Sequence, residues 1–172
     1  MIELSRRRAV RLALAGLPAA WLLRSIPASA EQAFRRFFPF LVDLDGWHGK
    51  TPDGMSMAMG STNMLTATRE YENGGARLHA TVVIGPAAVG ALAASQSGIN
   101  IETAEGHMIS STIDGFTVIK TFSTREKSGA LLVKLGDSAM FSLSYSGLTE
   151  DEALPLAKKF DWKAIQAATQ QT

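Results

Sequence analysis

Three tight turns, each set between two segments in which apolar and polar residues alternate, constrain the fold more than any other feature. They lie at residues 72–75, 114–115 and 136–137. Asn-Gly and Asp-Gly favour two-residue hairpin turns because both residues tolerate a positive φ. We therefore predict three β-hairpins and about six antiparallel strands. The segments 54–60, GMSMAMG, and 99–103, INIET, are candidates for additional edge strands.

Helix signals interrupt this series of strands only twice. Pro86 can begin a helix over the small residues that follow it. Thr149 and Glu152 have the spacing of a capping box, which starts a helix that Pro155 bends, and Asp161 can cap a last short helix. Strands that run together with few helices are typical of an α+β fold. We predict a single antiparallel sheet with two or three helices packed on one face.

The chain divides into a leader (1–30), an irregular N-terminal segment (31–53) and an α+β domain (54–172). The predicted layout resembles that of domains of the PsbP/Mog1 type. The tail at 147–162, GLTEDEALPLAKKFDW, is similar to the closing strand and helix of small extracytoplasmic lipoprotein and anti-sigma sensor domains. These resemblances concern layout, and they assign a role to no residue.

The first thirty residues have the three parts of a signal peptide. A basic start that includes Arg11 precedes an apolar run at 13–23, and the small residues 28–30, Ala-Ser-Ala, suit a signal peptidase that would leave Glu31 as the new N-terminus. The apolar run has 11 residues, whereas about 20 are needed to cross a bilayer. We therefore expect export, cleavage and no membrane span afterwards.

The segment 5–11, SRRRAVR, resembles the twin-arginine (Tat) signal, from which it departs at Ala9, where a bulky apolar residue is usual. The resemblance covers only the leader, and export through the Sec pathway is the alternative. A Tat signal implies transport in the folded state. A small protein of this kind can travel with a larger periplasmic or redox protein as its partner.

Charge and cysteine content exclude several classes of function. The chain has 17 basic and 16 acidic side chains, of which the leader holds 5 and 1, so the mature chain has 12 and 15 and a formal charge of −3. A mature chain with this negative charge does not have the excess of basic residues that forms the surface of a nucleic-acid-binding protein. The sequence contains no cysteine, which excludes disulfides, thiolate zinc sites and a cysteine nucleophile.

The methionines of GMSMAMG are the candidate metal ligands. In a strand, Met55, Met57 and Met59 share one face at about 7 Å spacing, and Met64 can fold back toward them. Thioethers favour Cu(I), and His48 can add an imidazole. The same alternation is also typical of a strand that buries its methionines in the core or in an interface, and a methionine-lined groove for an apolar ligand or partner is intermediate between the two.

The histidines lack the spacing of a metal motif. We place His79 on the polar face of a strand. His107 follows Glu102 and Glu105 and precedes Asp114, which is a weak acid/base grouping that a solvated loop also explains. An enzymatic interpretation requires a pocket in which His107, Asp114 and a glutamate converge.

The sequence has no nucleophile elbow, phosphate loop or dinucleotide fingerprint. We therefore expect a periplasmic, non-catalytic accessory or binding protein that needs no cofactor. The alternative is a Cu(I)-binding protein that uses the methionines.

Overall fold

The computed structural model describes residues 33–59, 62–96 and 100–170. The leader and the predicted cleavage site lie outside these ranges. After a helical turn at 33–35, the elements in chain order are a 3₁₀ helix (Phe38–Phe40), β1 (His48–Gly49), β2 (Asp53–Met59), β3 (Thr62–Asn73), β4 (Ala76–Ile84), α1 (Pro86–Gln96), β5 (Ile101–Thr103), β6 (Gly106–Ile113), β7 (Phe116–Ser123), β8 (Ser128–Gly136), β9 (Ala139–Ser146), α2 (Glu150–Ala157) and α3 (Trp162–Thr169). The α+β class is confirmed.

The nine strands of the described residues join one antiparallel sheet in the order β1-β3-β4-β9-β8-β7-β6-β5, and β2 pairs with the same side of β3 as β1 does. The prediction of about six strands was too low. Its three hairpins correspond to β3–β4, β6–β7 and β8–β9, and the two candidate edge strands are β2 and β5. The short strand β1 lies in the segment that the sequence predicted to be irregular.

The turn at 114–115 follows the predicted chemistry, whereas the other two turns differ from it. In the first, Asn73 still pairs with Ala76 in the sheet, so the turn residues are 74–75. In the third, neither residue at 136–137 has a positive φ. Asp114 and Gly115 both have positive φ, at 52° and 85°, as a two-residue turn that matches the twist of its strands requires. The turn thereby fixes the register in which Ile113 lies opposite Phe116. Because side chains alternate between the two faces of a strand, this register decides which residues of β6 and β7 share the main core.

The main core lies on one face of the sheet, which we call the core face. The N-terminal segment, α2 and α3 cover it with apolar side chains: Phe34, Phe37, Leu41, Leu44, Ala153, Ala157, Phe160, Trp162, Ile165 and Ala168. A complete capping box between Thr149 and Glu152 starts α2, and Asp161 caps α3. The predicted starts of both helices are confirmed.

Helix α1 packs on the opposite face, which corrects the prediction that the helices share one face. Its buried residues Ala88 and Leu92 form a second, smaller core with Val83, Ile119 and Met140. The turn into α1 depends on Gly85, which has a φ of +108° and where a Cβ would lie 2.4 Å from the carbonyl oxygen of Asn63. The sequence of α1 is small and apolar on all sides, so it did not indicate which face of the sheet the helix covers.

Candidate functional site

Two exposed methionines of β2 lie beside a partly buried methionine of β3. Met57 lies opposite Met64, and Met55 opposite Thr66, on the face of the sheet away from the main core. Met55 is 49% exposed and Met57 is 44% exposed, whereas Met64 is partly buried. We call Met55, Met57 and Met64 the methionine surface. Its exposure rules out the interpretation in which these side chains fill the core.

The register brings three of the predicted copper ligands into one neighbourhood. Directly opposed residues on antiparallel strands have Cβ atoms about 5 Å apart, which applies to Met57 and Met64. Met55 precedes Met57 by two residues on the same face, at a distance of about 7 Å. Met59 belongs to the same strand and alternates with these residues, but its side chain lies outside the described part of the chain.

The structure places His48 away from the methionines. His48 lies opposite Glu72, whereas Met57 lies opposite Met64. Eight residues of β3 separate these two positions, which corresponds to about 27 Å. His48 therefore cannot join a copper site that includes the methionine surface.

Strand β2 is also an edge of the sheet, since β3 is its one partner among the described strands. Its residues after Asp53 are uncharged, and those that alternate with the methionines are small: Gly54, Ser56 and Ala58. The N–H of Gly54 donates to Oδ1 of Asp53 at 2.7 Å. An uncharged edge strand of this length is the kind of edge that natural proteins usually protect with a charge or a proline.

A second candidate is an open polar hollow of about 530 Å³ at the far end of β3, β4 and β9. Its lining includes five charged or titratable side chains and two serines: Lys50, Glu70, Glu72, Arg77, His79, Ser144 and Ser146. Lys50 Nζ lies 2.7 Å from Glu70 and 3.4 Å from Glu72. Lys50 thus neutralises much of the negative charge of the two glutamates. The side chain of His79 is exposed, which confirms the prediction that it lies on the polar face of a strand.

Beside this hollow, a hydroxyl, an imidazole and a carboxylate lie next to one another in that order. Thr68 Oγ1 lies 2.6 Å from His79 Nε2, and His79 Nδ1 lies 3.7 Å from Glu70 Oε1. Thr68 lies in the middle of β3, between Asp53 of β2 and Thr81 of β4. The backbone N–H groups there are used in the sheet, so they do not form the oxyanion hole that acyl transfer requires. This arrangement is therefore better explained as cross-strand hydrogen bonding.

A third cluster joins α2 to the core face at β6 and β7. Glu150 accepts hydrogen bonds at 2.5 Å from both His107 Nε2 and Lys120 Nζ. The three side chains are largely shielded from solvent. Burial alone raises the pKa of Glu150, but the hydrogen bonds from Lys120 and His107 outweigh it, and its pKa lies below the ordinary value. The carboxylate is fully engaged, so it anchors the start of α2 rather than acting as a free base.

Tyr145 lies beside this cluster and is 4% exposed. Its ring stacks on Phe122 with a centroid distance of 6.4 Å, and its hydroxyl has no hydrogen-bond partner within the described residues. Burial, reinforced by the charge of Glu150, raises the pKa of Tyr145 to about 12. The phenol is therefore a neutral group in the core at physiological pH.

The structure corrects two predictions about His107. It lies in β6 and is partly buried, not in a solvated loop. It does meet a glutamate, as the enzymatic interpretation required, but Asp114 pairs with Lys158 instead, at 3.0 Å. Glu150 lies 43 residues from His107 in the chain, and neither residue carries a local pattern that links them. The capping box next to Glu150 was the one available signal for the position of this helix start.

Comparison with known proteins adds no assignment, because no family model, curated protein or solved structure matches the chain. In the described ranges, no group of three or more His, Asp or Glu side chains is placed to hold a metal ion. Methionine sulfurs are a different class of ligand. The helices of these ranges are also too short or too polar to cross a bilayer.

Proposed function

We propose that this chain is an exported, non-catalytic accessory protein that binds a larger periplasmic or redox protein through its methionine surface. The observation that carries the proposal is the exposure of Met55 and Met57, at 49% and 44%, on an edge strand that has no charge after Asp53. Exposed apolar side chains that adjoin one another are characteristic of binding surfaces. Methionine suits this role because its flexible, polarizable side chain adapts to the surface of a partner.

The other two clusters support a binding role over a catalytic one. The carboxylate of Glu150 is occupied by its hydrogen bonds with His107 and Lys120. The Thr68–His79 pair lies in a part of the sheet whose backbone donors are already used. General acid/base or nucleophilic catalysis needs a free base beside a space for substrate and a donor for the developing charge.

Site-specific photo-crosslinking tests the binding proposal. A photoreactive amino acid is placed at Met57 in one variant and at Ile101 in another, since these side chains are 44% and 49% exposed on opposite edges of the sheet. Both variants are expressed with their own leader, and adducts are recovered from the periplasm. We expect one heterologous adduct at position 57 that is missing at 101. Heterologous adducts of equal yield at the two positions, or none at 57, contradict the proposal.

The export part of the proposal is supported by the three-part leader and its Ser-Arg-Arg motif. We expect the periplasmic form to have a mass that begins at Glu31, and replacement of Arg6 and Arg7 by lysine to stop export. Export that continues in this variant argues for the Sec pathway. A full-length mass in the cytoplasm contradicts export altogether.

A second candidate function is Cu(I) binding at the methionine surface. The observation that favours it is the direct cross-strand pairing of Met57 with Met64, beside Met55. Three thioethers at this spacing form a soft ligand set that can bind Cu(I) without cysteine. Native mass spectrometry of the chain from copper-supplemented periplasm tests it: one bound copper supports the site, and the bare mass argues against it.

A further inference from the structure

We propose that β2 pairs antiparallel with β2 of a second copy about Ser56, which makes a continuous sheet across a two-fold axis. The inference rests on the proposed function, because the pairing doubles the proposed binding surface. All seven residues of β2, Asp53–Met59, take part when Ser56 lies at the axis. A surface of this kind that closes on a copy of itself is the common arrangement in homodimers.

The backbone of β2 is suited to a further strand. One side of β2 pairs with β3, and its other side has no partner strand in the described sheet. A row of unpaired N–H and C=O groups is a template for another strand, and charged or kinked edges usually prevent this. β2 has neither a charge after Asp53 nor a proline, so its sequence leaves the edge open.

The side chains of β2 are self-complementary in this register. Antiparallel pairing about Ser56 places Met55 opposite the second copy's Met57 and Gly54 opposite the second copy's Ala58. Met55 and Met57 therefore meet methionines of the second copy on one face, and small residues meet small residues on the other. The methionine surfaces of the two copies become adjacent, so each copy contributes ligands or contacts to the same site.

The distribution of charge along β2 also favours a second copy of β2 as its partner over a strand that carries a charge in its middle. The charged residue of β2, Asp53, lies opposite the second copy's Met59 in this register. The two copies of Asp53 are then about 20 Å apart along the strand direction, beyond the range of strong repulsion at physiological salt. A strand with a charge in its middle would instead place that charge among thioethers and methyl groups.

Single-cysteine cross-linking tests the register, because the chain has no cysteine of its own. Residues opposite each other in a non-hydrogen-bonded antiparallel pair have Cα atoms about 4.5 Å apart, within the range of a disulfide. In the proposed dimer this applies to position 55 of one copy and position 57 of the other. Two copies of position 57 are about 8 Å apart, which a disulfide does not span.

We therefore expect a covalent dimer in an oxidised mixture of Met55→Cys and Met57→Cys proteins, at least tenfold faster than in either variant alone. Ile101→Cys, on the other edge and similarly exposed, serves as the control and should form no covalent dimer. Cross-linking of either β2 variant alone at the rate of the mixture overturns the register. A lack of cross-linking in the mixture overturns the pairing.

Sedimentation of the unmodified exported chain gives a test without substitutions. The proposal predicts twice the monomer mass at concentrations of tens of micromolar, and a monomer throughout that range overturns it. The two proposals fail separately. A monomer that still forms a heterologous adduct at position 57 refutes only the dimer, whereas a dimer whose adducts contain only this chain refutes only the accessory function.

Discussion

The two edges of the sheet differ in length, charge and exposure of apolar side chains. β2 pairs through seven residues, is uncharged after Asp53 and exposes Met55 and Met57. β5 has three residues, all exposed, and includes Glu102. A short, charged edge discourages pairing with another chain, and a longer uncharged edge permits it. One edge of this fold is therefore protected by its sequence, and the other is open to association.

The faces beside the two edges differ as well. Helix α1 covers the central part of the face away from the main core, where Val83, Ile119 and Met140 are buried. The methionine surface lies on that same face, on β2 and β3, and remains exposed. The helix therefore leaves one apolar part of the sheet uncovered, and that part adjoins the unprotected edge.

The largest expected effect comes from charge at the axis of the proposed dimer. Ser56→Glu places two carboxylates on opposed residues whose Cα atoms are about 5.5 Å apart. Their repulsion should weaken dimerisation on the order of a hundredfold at low salt. Sedimentation equilibrium measures the change. Ile101→Glu on β5 is the matched control and should leave association unchanged.

A mixture of Ser56→Glu and Ser56→Lys proteins distinguishes repulsion from misfolding. Opposite charges across the axis should restore association in the mixture, because each variant supplies the charge that the other needs. If Ile101→Glu weakens association as much as Ser56→Glu does, the contrast between the two edges is wrong.

The next largest effect is on the free energy of unfolding and comes from the packing of β2 at Gly54. A Cβ at Gly54 would lie 2.6 Å from the Thr66 carbonyl oxygen and 2.7 Å from the Phe34 ring. Gly54→Ala should therefore lower the free energy of unfolding by about 2 kcal/mol through overpacking. Gly90→Ala on α1 is the control: its Cβ meets no other part of the fold, and it should raise stability by about 0.5–1 kcal/mol. Chemical denaturation measures both, and equal stability of the two variants would show that β2 is not tightly packed at Gly54.

Much of this fold could be predicted from the sequence, because hairpin turns and capping boxes are local. The turn at Asp114 and Gly115 and the capping box at Thr149 needed no knowledge of distant residues. The exposure of Met55 and Met57 could not be predicted in the same way. Alternation determines that they share a face, but whether that face is covered depends on where α1 lies.

The cluster at Glu150 was unpredictable for a similar reason. Its bonds to His107 and Lys120 span 43 and 30 residues of the chain, and they exist only because the sheet register and the start of α2 coincide. In the sequence, Glu150 belongs to an acidic run that a helix start explains by itself.

A smaller effect on stability is expected from this cluster, which lies away from the β2 edge. The pKa of Glu150 is lowered in the folded state, so its contribution to stability is complete above about pH 4.5, its ordinary value. The contribution is lost as the pH falls through the lowered pKa. Glu150→Gln should therefore cost about 1–2 kcal/mol at pH 7 and progressively less below pH 4.5.

Unfolding curves from pH 3 to pH 8 check this prediction. Asp151→Asn, an exposed neighbour in the same helical turn, removes the same charge and should show little loss at pH 7. A cost of Glu150→Gln that does not change with pH would contradict the role of its charge. The dimer should be unaffected, because the cluster lies far from β2 in the strand order.

The smallest effect separates the chemistry of the thioethers from their apolar character. The double variant Met55→Leu and Met57→Leu should change the free energy of unfolding by less than about 1.5 kcal/mol and should still dimerise. Cu(I) binding, if the methionine surface holds copper, should be lost because leucine has no sulfur. Met140→Leu in the second core is the control and should keep any copper that the native chain binds. Equal Cu(I) affinity in the double variant would exclude the copper site.

Amide hydrogen exchange at the two edges, measured as a function of protein concentration, tests the central claim most directly. We expect the amides of Ser56 and Ala58, which face the second copy in the proposed register, to become protected as the concentration rises, while those of residues 101–103 do not change. Concentration-independent exchange at β2, or protection that grows equally at β5, would contradict the claim that β2 is the associating edge.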